Sequence, residues 1–180
     1  MRYEIRFAGF GGQGVVLAGY ILGKAAALYG ELEAVMTQSY GPEARGGASS
    51  ANVVISDTAI DYPFVQAPNL LVALSQEAYT KFRPSTDADA LILIDQDLVQ
   101  PTANDPVNSI PATSIAEQLG KRIVANMVIL GFLTTVYKRI PTEAMEKAIK
   151  DSVKPKTIEL NLEAFSQGYE YGLQSIVSKR

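Results

Sequence analysis

An α/β fold with a mostly parallel sheet, flanking helices and a helical C-terminal third is predicted by three features of the sequence. Between Tyr3 and Ile110, short β-prone or wholly apolar runs alternate with helical patterns and turn signals. A glycine cluster joins the first strand to the first helix, and the chain after Ser114 shows helix starts and amphipathic periodicity but no strand-like run. The 180 residues, 47% of them hydrophobic, suffice for one sizeable core, so residues 1–180 are expected to form a single domain.

Residues 3–8 form the first strand, and residues 15–28 follow with apolar and small side chains until Gly30 stops the helix. Residues 32–37 then read as a second strand. Together they make a βαβ unit whose right-handed crossover is expected to lay the two strands parallel. A loop over residues 38–48 is broken by Gly41-Pro42 and Gly46-Gly47, and residues 50–55 form the next strand, turned by Asp57-Thr58. Residues 60–69 contain two prolines and little periodicity, as an ordered loop would. Residues 70–74 and 90–94 are apolar throughout, the mark of strands buried on both faces, and residues 107–110 add one more short strand. Residues 76–82 are helical. Ser114 and Glu117 have the spacing of a capping box, which would open a helical region running through the apolar stretch 123–136 to Tyr137. Pro141 opens another helix over residues 142–153, and residues 157–178 form the last.

Composition removes several function classes. The 16 basic and 19 acidic residues give a formal net charge of -3, with no cationic surplus to neutralise nucleic acid. Cysteine and histidine are both absent. The chain therefore lacks iron–sulfur ligands, a thiol nucleophile, the usual zinc ligands and the histidine of catalytic triads. No signal-peptide pattern opens the sequence, and the longest apolar stretch is too short and too interrupted to cross a bilayer comfortably. A cytoplasmic protein without membrane or nucleic-acid partners is the expectation.

The chemistry that remains is carried by backbone amides, carboxylates, lysine, arginine and tyrosine. Gly9-Phe10-Gly11-Gly12-Gln13-Gly14 satisfies G-x-G-x-x-G after a strand and at the start of a helix, the context in which the pattern has meaning. Such a turn is Rossmann-like: its free amides and the helix dipole attract a phosphate or carboxylate. The same turn could instead pack a helix on a sheet without binding anything. Dinucleotide binding would add an acidic residue at the end of the second strand, which here reads Val35-Met36-Thr37-Gln38, and no Walker pattern is present. The loop from Gln38 to Ser49 gathers hydroxyls, glycines and one cation. It is expected to face the glycine turn, with Arg45 free to fork onto an anion or to pair with Glu43. Asn126 lies in an apolar helix, so its amide must find backbone or a neighbouring subunit. Asp95 and Asp97 follow a hydrophobic strand as turn formers or helix caps would. Tyr62, Phe64, Tyr79, Phe82, Phe165, Tyr169 and Tyr171 are expected mostly in the core, some of them as anchors for a partner.

Four ordered blocks, residues 6–15, residues 38–49, Ile60-Asp61-Tyr62-Pro63 and residues 74–79, resemble the gamma subunit of 2-oxoacid:ferredoxin oxidoreductases over nearly the whole chain. Asn126-Met127 and Leu130-Gly131 share the resemblance. Gly41-Pro42-Glu43-Ala44-Arg45-Gly46-Gly47 is similar to the 2-oxoglutarate branch, whereas pyruvate and branched-chain gamma subunits tend to open Gly-Arg-Gly-Gly-Gln-Gly, from which Phe10 departs. The resemblance implies a multi-subunit enzyme. Thiamine diphosphate attacks the 2-oxo carbon, carbon dioxide leaves, electrons pass singly through iron–sulfur clusters to ferredoxin, and coenzyme A takes the acyl group; the thiamine diphosphate, magnesium and clusters belong to partner subunits, alpha and beta with a delta or ferredoxin-like chain as a further candidate. It also implies that this chain is not catalytic alone and binds no cofactor by itself. The residues expected to contact coenzyme A are Gly9, Gly11, Gly12, Gln13, Gly14, Ser39, Tyr40, Arg45, Gly46, Gly47 and Ser49. A freestanding nucleotide-binding protein and a purely structural subunit of the same complex are the alternatives.

Overall fold

A computed structural model describes residues 1–39 and 48–177. Its elements are β1 (Arg2–Gly9), α1 (Val15–Lys24) continued by a π-helical turn (Ala25–Tyr29), β2 (Glu33–Ser39), β3 (Ser49–Ser56) and β4 (Leu70–Ala73). Then come α2 (Gln76–Phe82), β5 (Leu91–Asp95), β6 (Val107–Ile110), α3 (Ala112–Gln118), α4 (Ala125–Val136), α5 (Thr142–Lys150) and α6 (Ile158–Val177). The strands make one six-stranded sheet in the order β2-β3-β1-β4-β5-β6. Five strands point the same way, and β3 runs against its neighbours β1 and β2.

The expected βαβ unit is thereby corrected. β1 and β2 share a direction but do not touch, because β3 lies between them, paired Gly9 with Ser49 on one side and Ser39 with Ser50 on the other. The reason is the connection after β2: it is too short for a helical crossover, so the chain can only return antiparallel. From β1 the chain goes to one edge of the sheet, while β4, β5 and β6 build the other. The switch point therefore falls between the carboxyl ends of β1 and β4, where ligands of open α/β sheets bind.

Strand residues divide between two helical layers by simple alternation. Leu70, Val72 and Leu93 join Phe7, Val53, Ile21, Leu22, Met127 and Leu130 in the main core, whereas Leu71, Ala73, Ile92 and Ile94 meet Tyr79 of α2 on the opposite face. The capping box expected at Ser114 is not there. Ser114 lies inside α3, the helix ends at Gly120 with a φ of 81°, and α4 starts anew after a 3-10 turn at Arg122–Val124. Tyr79 and Phe165 are core residues as expected, but Tyr62 and Phe64 stand half exposed on the loop before β4, ring against ring at 5.5 Å.

The C-terminal helices pack on the sheet through α4, whose residues from Asn126 to Thr135 are all buried. α6 approaches it closely enough to leave no room for side chains at the crossing. A Cβ added at Gly168 would lie 1.9 Å from the Val128 carbonyl oxygen, and one at Gly131 would lie 1.9 Å from that of Phe165. No helix among the described residues is long and apolar enough to cross a membrane.

Gly168→Ala is expected to destabilise the fold by about 1–3 kcal/mol or more, because two backbones must separate. Gly23→Ala in α1, where the added Cβ meets only Val53 Cγ1 at 3.7 Å, is expected to be neutral or to stabilise by up to about 1 kcal/mol. Denaturant unfolding of the two variants side by side checks the pair.

Candidate functional site

The glycine turn leaves β1 at Gly9 and enters α1 at Gly14, whose φ of 71° places the helix N-cap in the left-handed region. Its backbone is closed by one long bond, Gln13 N–H to Phe10 O at 3.3 Å. The Gln13 carboxamide supplies the rest. Its Oε1 accepts from Phe10 N–H at 2.6 Å and its Nε2 donates to Leu74 O, just after β4, at 2.7 Å. From α4, Asn126 Nδ2 donates to Gly14 O at 3.3 Å, the backbone partner that its buried position requires.

The four glycines do different things. A Cβ at Gly9 would lie 2.5 Å from Gln13 Oε1, and one at Gly14 would lie 2.3 Å from Asn126 Nδ2, so these two make room for the amides that hold the turn. Gly12 has a φ of 89°, which L side chains rarely adopt. Among the described residues there is nothing within 4 Å of a Cβ added at Gly11 or at Gly12. Gly11 and Gly12 thus present bare backbone to open space.

That space is a cleft of about 380 Å³ at the switch point, lined by the turn from Phe10 to Gln13, Leu74, Asp95, Thr113, Arg122, Ile123 and Ala125. Three helices begin on it, and their capping differs. α3 is capped from a distance: Asp95 Oδ2 accepts from Thr113 N–H at 3.1 Å and from Thr113 Oγ1 at 2.6 Å, while Asp97 Oδ2 accepts from Ser114 N–H at 2.7 Å. α1 and α4 have neither a side-chain cap nor an acidic residue in the first turn. The dipoles of both helices and the uncapped start of α1 leave the cleft attractive to an anion, although α4 continues the preceding 3-10 turn and its Ala125 N–H is bonded to Arg122 O. The Arg122 guanidinium stands on the same wall, mostly exposed, with Glu117 no nearer than 3.9 Å. Burial pushes the Asp95 carboxyl above its ordinary range, against the hydrogen bonds from Thr113 and from Asp97 N–H.

The start of β3 lies against the turn, while residues 40–47 of the loop expected to face it lie outside the described residues. Ser49 Oγ donates to Gly9 O at 3.1 Å, and Ala48 N–H is bonded to Glu77 Oε1 at 3.2 Å. Ser39 is exposed at the end of β2, in register with Ser50. Tyr40, Arg45, Gly46 and Gly47 lie outside the described residues. The structure therefore brings together Gly9, Gly11, Gly12, Gln13, Gly14, Ser39 and Ser49 at one sheet edge. Sequence reasoning missed Arg122, Ile123 and Thr113, which reach the cleft from far along the chain with no motif of their own. Both ends of the Gln13 carboxamide, which the sequence placed among the ligand contacts, are bonded within the protein, and the residue also lines the cleft.

Residues 4–171 match the family described as pyruvate ferredoxin/flavodoxin oxidoreductase. The chain is 55% identical to the 2-oxoglutarate synthase subunit KorC of Methanocaldococcus jannaschii over 175 residues, 94% of each chain. Among solved structures, the gamma subunit of a keto/oxoacid ferredoxin oxidoreductase from Geobacter sulfurreducens superposes with a TM-score of 0.84 at 40% identity, covering 96% of this chain and 99% of that one. The 2-oxoglutarate:ferredoxin oxidoreductase of Magnetococcus marinus, with 2-oxoglutarate, coenzyme A and succinyl-CoA bound, shares the fold at a TM-score of 0.84 and 23% identity, and 96% of this chain covers 31% of that one.

Gly14→Ala is expected to lower the melting temperature, since it meets both a positive φ and Asn126, while Gly11→Ala leaves it unchanged. Asp95 gives a pH signature. Its folded pKa lies above the unfolded one, so its contribution to stability is complete below about pH 4 and is lost as pH rises through the folded value. Asp95→Asn is expected to lessen that loss, read as the difference between the two stability-versus-pH curves from denaturant titrations.

Proposed function

The chain belongs to the pyruvate ferredoxin/flavodoxin oxidoreductase family, and we propose that it is the gamma subunit of a 2-oxoglutarate oxidoreductase that makes succinyl-coenzyme A and carbon dioxide while reducing ferredoxin. Its role there is to hold coenzyme A. The likeness to the KorC subunit over almost its whole length supports the branch, as do Gly41 to Gly47. The observation that carries the ligand assignment is the bare backbone of Gly11 and Gly12, facing a cleft on which the uncapped start of α1 and Arg122 also converge.

In this reading the turn amides and Arg45 take the phosphates of coenzyme A, with Arg122 adding charge from the cleft lining and Ser39, Tyr40, Gly46, Gly47 and Ser49 completing the rim. Gly9 and Gly14 act through the shape of the turn. Rate is gained by placing the thiol beside the acyl group, an effect of proximity rather than of any acid or base on this chain. Decarboxylation and electron transfer are supplied by thiamine diphosphate with magnesium and by iron–sulfur clusters. A chain without cysteine or histidine leaves the clusters to alpha, beta and delta or ferredoxin-like partners. Residues 1–180 work as one domain, in the cytoplasm.

Anaerobic purification of the native complex, with its partners identified by mass spectrometry, is expected to give coenzyme A-dependent dye reduction with 2-oxoglutarate. Activity only with another 2-oxoacid overturns the branch, and a lone inactive monomer overturns the assignment. In the active complex, Arg45→Ala and Gly11→Ala are each expected to raise the KM for coenzyme A about tenfold or more, with the KM for 2-oxoglutarate unchanged.

A further inference from the structure

We propose that Gln13 is a positioning residue, one that fixes the anion-facing amides of the glycine turn by bridging Phe10 to Leu74 and does not itself touch the ligand. The role rests on the coenzyme A reading above, but its geometry stands by itself. The last backbone bond between β1 and β4 is Leu74 N–H to Ala8 O at 2.8 Å. Beyond it the two chains part, one into α1 and the other into α2. Gln13 carries the pairing one step further: its carboxamide ties the first amide of the turn, at 2.6 Å, to the carbonyl of Leu74, the residue after β4, at 2.7 Å. It spans the switch crevice at its base.

Gln13 also lines the cleft, but three observations argue that this bridge is what its side chain does. Its oxygen and its nitrogen are each engaged by backbone, and both bonds are shorter than the 3.3 Å backbone bond that otherwise closes the turn. Gly9 is empty in the place that Gln13 fills, since a Cβ there would come within 2.5 Å of Oε1. Gly11 and Gly12, the residues left facing the cleft, have no contacts among the described residues near their Cβ positions to hold them. Their orientation therefore depends on the two ends of the turn, one set by Gln13 and the other by the Asn126 bond to Gly14. No shorter or apolar side chain makes both bonds: Asn lacks the reach and Met lacks the donor and acceptor.

Gln13→Met and Gln13→Asn, made in the assembled enzyme, test this with two readouts. Hydrogen exchange of the Phe10 amide is expected to quicken about tenfold or more in both variants, and the KM for coenzyme A to rise about fivefold to tenfold. The KM for 2-oxoglutarate and kcat at saturating coenzyme A are expected to hold. A raised KM with Phe10 exchange unchanged would mean direct ligand contact and would overturn the proposal, as would no change in either. Faster exchange with an unchanged KM, while Gly11→Ala raises it, also overturns the positioning role. Faster exchange with the KM unmoved in Gly11→Ala and Arg45→Ala as well upholds the bridge and removes the coenzyme A reading instead.

Discussion

A turn that offers its amides to a ligand cannot fill its own surroundings with side chains, and something else must hold it in shape. In this protein two carboxamides do so, Gln13 across to β4 and Asn126 from α4. Each has displaced a side chain at a neighbouring glycine, Gly9 for the first and Gly14 for the second. The glycine pattern is thus half ligand surface and half clearance for its own supports. Much of the rest of the fold follows from where those supports come from. α4 must be buried against the sheet for Asn126 to reach Gly14, and its burial is secured by the close backbone crossing with α6 at Gly131 and Gly168.

The same edge of the sheet collects everything else that could meet an anion. Inserting β3 antiparallel beside β1 sets Ser49 next to Gly9. On the other side of the switch point, Asp95 and Asp97 cap α3 and spend their negative charge on its amides. α1 and α4 receive no such cap. The uncapped start of α1, the helix dipoles and Arg122 favour an anion in the cleft. A site of this kind binds and places; it has no group suited to breaking carbon–carbon bonds or passing electrons. That fits a subunit of a larger oxidoreductase.

The α/β class and the strands around Leu70–Ala73 and residues 91–94 were legible because buried parallel strands are apolar throughout, and the helix over Gln76–Phe82 and the strand over Val107–Ile110 because Ser75 and Pro106 mark their starts. The glycine turn was legible because its backbone demands are written in residue type. Strand order was not, since nothing in residues 49–56 says which side of β1 they will occupy. The start of α3 was misread at Ser114 because its caps are supplied by Asp95 and Asp97, far outside any local window. Arg122 had no local signal at all, and Gln13 had one that pointed to the ligand. A polar side chain in a binding motif looks the same in sequence whether it faces the ligand or the backbone behind it.

Whether the glycine turn of this subunit holds the phosphates of coenzyme A is tested most directly by a structure of the assembled oxidoreductase with coenzyme A bound. The expected result is a phosphate within about 3 Å of the Gly11 and Gly12 amide nitrogens, with the Gln13 carboxamide behind the turn and bonded to Leu74. A turn packed against a partner subunit, with the coenzyme A phosphates held elsewhere, would contradict it.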